Sequence, residues 1–177
     1  MKTDQVLTVM KIFAWIAFFG YSIQCGSYLI SYIVSWFNPQ AASDIYKGLD
    51  LFGMKEHSNV KYTIFVASLV AVAGLKANIW YRVTQIIPKI KIENPFTIEV
   101  ARRLEKISLI LLIIWILGYA GSAYAGWLSR TFEFVVNSET LRSLNSGEFL
   151  FMAGLLFIVS QIYKRGVELQ SENELTV

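Results

Sequence analysis

The chain has one cysteine and one histidine in 177 residues. The lone Cys25 excludes an intrachain disulfide, and the single His57 leaves little scope for imidazole chemistry. Charge is scarce too: Asp, Glu, Lys and Arg make up 16%, against about 25% in an ordinary soluble domain. Gly-rich phosphate loops, nucleophile–base pairs and carboxylate clusters are missing, so the sequence points away from an enzyme and calls for no cofactor or metal. What abounds is apolar: 55% hydrophobic residues, 15% aromatic residues and a mean hydropathy of +0.48. One core of this size cannot hide that much apolar surface, whereas a bilayer can.

Four uncharged runs organise the chain: 12–36, 62–75, 107–128 and 149–163, of 25, 14, 22 and 15 residues. A helix needs about 20 largely apolar residues to cross the hydrocarbon. The first and third runs suffice alone, and the others borrow from their flanks. The predicted fold is therefore an all-α integral membrane protein with a single membrane domain, residues 1–177. Its four transmembrane helices, 12–36, 62–81, 107–128 and 144–163, form one bundle. For the two short runs the competing reading is an interfacial or re-entrant segment. The first run is too long for a signal-peptide core, which spans about 7–15 residues. Lys76 and Lys164 are expected to snorkel to the headgroups. With the N-terminus inside, 11 Lys and Arg fall on the inner side and 5 on the outer, which predicts an N-in/C-in topology. Trp36, Trp80 and Trp127 fall at span ends, as interfacial anchors do.

Span one carries Gln24, whose amide needs a partner in hydrocarbon; an interhelical hydrogen bond or a water accounts for it as well as a ligand would. Span three has Gly118, Ser122 and Gly126 at spacing four, with Gly121 and Ala125 beside them. Such a flank lets a neighbouring backbone approach closely, either within the bundle or across a homo-oligomer face. The outer residues Asp44, Asp50, Glu56 and His57 match no metal-ligand spacing, and residues 131–136 alternate weakly like a short strand.

The second connection is the most patterned segment. Asn94 is placed to N-cap a helix with Pro95 at its first position, and Glu99 to pair with Arg103. Seven basic and three acidic side chains, counting Lys76, give it a net +4. The tail is basic at Lys164 and Arg165, then acidic at Glu168, Glu172 and Glu174. It is expected to dock weakly on the connection, with Leu169, Leu175 and Val177 as apolar contacts and Arg102 and Arg103 as the opposing charge.

The segments Glu93-Asn94-Pro95-Phe96, Arg102 to Ile107, and Gln161 to Val177 resemble a bacterial family of small four-span membrane proteins, domain-of-unknown-function family 2975. The resemblance implies an inner-membrane protein of unassigned activity. Genes of that family often adjoin a gene for a very small helix-turn-helix protein. This implies a regulatory membrane protein that binds such a regulator, and no nucleic acid directly, through Asn94, Pro95, Phe96, Arg102, Arg103, Leu169, Leu175 and Val177. Besides lipid, that regulator is the expected partner. The alternative is a small transporter or channel subunit, which the lack of buried Asp, Glu or Arg in the spans disfavours.

Overall fold

The computed structural model describes residues 3–38, 54–55, 58–90, 96–132, 138–144 and 147–175. Those residues form four long helices and one short one: α1 (Thr3–Phe37), α2 (Asn59–Ile86), α3 (Ile98–Phe132), α4 (Ser138–Leu144) and α5 (Gly147–Leu175). Four segments are long and apolar enough to cross a membrane: Gln5–Phe37, Asn59–Lys89, Ile98–Thr131 and Thr140–Glu172. No strand occurs among the described residues, and Thr131, expected to open one, is helical.

The long helices stand in a row. α1 packs on α2, α2 on α3, and α3 on α5, while α1 and α5 form no packed interface with each other. Apolar periodicity explains the seams. On α1, Ala14, Tyr21, Tyr28 and Ser35 recur every seven residues and are buried or half-buried, while Phe13, Phe19 and Ile30 point outward. On α3 the stripe Val100, Leu104, Ile107, Leu111, Ile114, Gly118, Gly121, Ala125 and Leu128 alternates steps of four and three. That spacing keeps one face against its neighbours for the whole helix.

Helix ends follow local chemistry. Ser58 caps α2 by accepting the Lys61 N–H, and Pro88 converts its far end into a 3-10 turn at Ile87–Lys89. α3 starts later than the sequence suggests. Thr97, not Asn94, is the cap, and its hydroxyl accepts the Val100 N–H at 3.3 Å. Asn94 and Pro95 lie outside the described residues, as do Val177 and Asp44, Asp50, Glu56 and His57.

Arg103, Lys106, Lys164 and Arg165 mark what we term the basic end of the bundle. At the opposite end Lys55 sits 5.2 Å over the Trp36 ring and Lys61 5.5 Å over that of Trp127. Lys55 also donates to the Ser35 carbonyl in the last turn of α1. Trp80 lines a cavity shared by the four long helices.

The fourth candidate segment, Thr140–Glu172, takes in the expected span 144–163 and is built from two helices: Leu144 closes α4, and α5 starts at Gly147. Leu144 is fully buried, its methyls 3.2 and 3.3 Å from where a Cβ on Gly121 would stand. The Ser108 hydroxyl donates to the Ala153 carbonyl at 2.9 Å. Gly147 precedes Ala153 by six residues, so α5 starts about 9 Å beyond Ser108. The apolar run of α3 continues to Leu128, about 30 Å beyond Ser108. α5 thus starts partway along the apolar run of α3, and α4 packs against the same helix through Leu144.

Candidate functional sites

Two places bring chemistry-bearing residues together. The first lies inside the row of helices, at Lys76. Ser68 of α2 meets Gly121 of α3, and Gln85 of α2 meets Arg103. Lys76 sits midway between these links, level with Leu112, so its Cα is about 8 Å inside the apolar run that starts at Ile107. Helical side chains lean toward the helix N-terminus, which for α2 means away from the basic end. The ammonium therefore runs deeper and donates to the Ser143 carbonyl at 3.0 Å. The side chain thus leans away from the nearer end of the apolar run, opposite in direction to the expected snorkel.

Ser143 is in the last turn of α4, where carbonyls lack intrahelical partners and the helix dipole is negative. The Phe149 ring lies 5.3 Å from the Lys76 nitrogen and the Tyr21 ring 6.0 Å. The Glu148 carboxylate adds an opposite charge nearby. A cavity of about 400 Å³ opens beside this group and extends toward the basic end. All four long helices line it: Met10 and Tyr21 from α1, Trp80 and Val83 from α2, Leu104 and Leu111 from α3, Phe149 and Met152 from α5. Apart from Lys76 and Glu148 its wall is almost wholly apolar. Counting charge-free residues locates Lys76 near a span end; only the partner contacts of α2 reveal its depth.

The second place is the basic end, where the patterned connection meets the tail. α5 does not stop at Lys164 but continues as helix through Gly166 to Leu175. Phe96 lies across Gly166, its ring carbons 2.6, 2.8 and 3.1 Å from where a Cβ would stand. A side chain there would collide with the ring, so the approach requires glycine. Phe96 also packs edge-on against Tyr163, with ring centres 5.3 Å apart. Lys164 pairs with Glu105 at 3.0 Å. Below the ring is a shallow notch of about 450 Å³, lined by Phe96, Ile162, Arg165, Gly166, Leu169 and Gln170.

This contact differs from the expected one. Arg103 binds Glu99 at 2.8 Å and Gln85 at 3.1 Å, Arg102 is exposed, and Arg165 pairs with Glu168 within α5. The tail is joined to the connection through Tyr163, Lys164 and Gly166, and Leu169 stays 47% exposed. Glu105, Tyr163 and Gly166 were not singled out as contacts; the aromatic in Glu93-Asn94-Pro95-Phe96 and the glycine after two basic residues were the available signal.

Among the other residues singled out, Gln24 donates to the Tyr28 hydroxyl at 2.9 Å, one turn along the same helix rather than across helices. Gly118 is buried on the α3 stripe, and Ser122 is half-buried. A Cβ at Gly126 would meet nothing within 4 Å, so no backbone approaches there. Neighbours come close instead at Gly121, five residues earlier, where the side chains of Leu144 and Ser68 lie 3.2 Å from the Cβ position.

Four long apolar helices, most of whose large exposed side chains are apolar, define a multi-pass membrane protein. The sequence matches the family described as protein of unknown function (DUF2975) over residues 49–177, and the chain belongs to that family. α1 precedes the matched segment. No curated protein and no solved structure matches the chain.

Proposed function

We propose that the chain is a regulatory membrane partner of the bacterial inner membrane, oriented N-in/C-in, with the basic end in the cytoplasm. In this reading it binds a small helix-turn-helix regulator through the second connection and the tail, and its role is non-catalytic. The observation that carries the reading is the extension of α5 beyond the Lys164–Glu105 pair, with its root clamped under Phe96. A clamped helix presenting Leu169 beside a notch suits helix-in-groove recognition. Reporter fusions at Val177 and Asp50 should read opposite sides, with the cytoplasmic signal at Val177. The full chain in nanodiscs should retain the helix-turn-helix protein of a neighbouring gene, and Leu169→Asp should lower that retention at least tenfold. Unchanged retention would overturn the docking surface.

A second reading, a small transporter or channel subunit, gains support from Lys76. Ionisable residues deep in a membrane protein characteristically face a cavity or pathway. Solute flux into proteoliposomes that vanishes in Lys76→Met would favour it over the first.

A further inference from the structure

The cavity beside Lys76 is a site of a different kind from the tail surface. We propose that it binds one single-chain lipid with a neutral, hydrogen-bonding head, of the monoacylglycerol or fatty-amide class. Its head lies at Lys76 and Glu148, and its chain runs along the slot toward Ile90.

Four observations converge. The slot is elongated, since Lys76 and Ile90 lie fourteen residues apart along α2 and its terminal turn, about 21 Å. Its wall is apolar except at one end, the division an amphiphile requires. That end carries one cation and one carboxylate. Lys76 has three N–H donors; one goes to Ser143, and the others face the soft rings of Phe149 and Tyr21. A hydroxyl or amide can accept from the ammonium and donate to Glu148 at once. A fatty carboxylate would instead meet the like charge of Glu148 and lose its hydration at depth. Finally, α1 and α5 both line the slot yet do not pack on each other. The side between them faces the bilayer, so the occupant comes from lipid rather than from water.

The test uses the full chain in phosphatidylcholine nanodiscs and a monoacylglycerol carrying a photoreactive diazirine on its acyl chain. Saturable labelling should fall on the slot, at Ile107, Met152 or Leu156. Unlabelled monoolein should compete, and oleate at pH 8 should compete at least tenfold less well. Lys76→Met should weaken labelling about tenfold, as loss of a charge-assisted hydrogen bond does. Ile107→Trp, which fills the slot, should abolish it. The competition arm uses the unmodified protein and does not depend on any variant folding. Non-saturable labelling spread over outward residues such as Phe19 and Ile158 would overturn the site. Oleate competing as well as monoolein would overturn the neutral-head assignment.

Discussion

Lys76 and Lys164 have the same side chain and opposite surroundings. Lys76 is held deep among apolar helices by a backbone carbonyl and two aromatic rings. Lys164 sits at the basic end against Glu105, both about 30% exposed. For Lys76, the last turn of a separate short helix supplies the carbonyl that meets the cation. At the end, a carboxylate and water share the task. The inner cation therefore depends on the fold, whereas the outer pair merely decorates it.

The sharpest test of that contrast is charge reversal. Lys76→Glu would set a second carboxylate beside Glu148 and the Ser143 carbonyl, and should cost about 3–5 kcal/mol in detergent unfolding. Lys164→Glu should cost about 1 kcal/mol or less, because water screens the exposed site. Equal losses would erase the distinction between the two sites.

Next in size is packing at the basic end. Gly166→Leu forces its side chain into the Phe96 ring and should cost about 1–3 kcal/mol, more than loss of the neighbouring ion pair. Phe96→Ala in the same chain should recover part of that loss. A double variant as unstable as Gly166→Leu alone would show that the ring is not the obstacle.

Smaller effects separate the two glycines of α3. Gly121→Ala presses on Leu144 and should cost about 1 kcal/mol, loosening the segment that supplies the carbonyl to Lys76. Gly126→Ala meets open space and should be neutral or stabilise by about 0.5–1 kcal/mol, since alanine suits a helix interior better. The smallest is a double-mutant cycle of Lys164→Met with Glu105→Gln, whose coupling should lie at about 0–1 kcal/mol.

The four apolar segments are legible because charge is sparse along them, the first and third by uncharged length alone and the other two once their flanks are added, and the Glu99–Arg103 pair because helical spacing dictates it. The packing face of α3 was written in the sequence as alternating steps of three and four from Val100 to Leu128. Reading Gly118, Ser122 and Gly126 at a constant step of four drifts off that face, so Gly126 falls outside the contact. The partner of Lys76 was not legible. It is a main-chain carbonyl 67 residues away, and a carbonyl has no residue type to search for. Nor was the contact of Leu144 with Gly121, which joins residues 23 positions apart on different helices.

The ring of Phe96 across Gly166 acts as a fulcrum on a single unbroken rod. From Phe149, beside the buried lysine, to Gly166 the rod measures about 25 Å; from Gly166 to Leu175 it measures about 14 Å. A sideways shift of about 2 Å at the inner arm would therefore emerge as about 1 Å, in the opposite direction, at the outer arm. A rigid α5 pivoting at Phe96 would thus link the Lys76 cavity, at a ratio near one half, to its own end at Leu175.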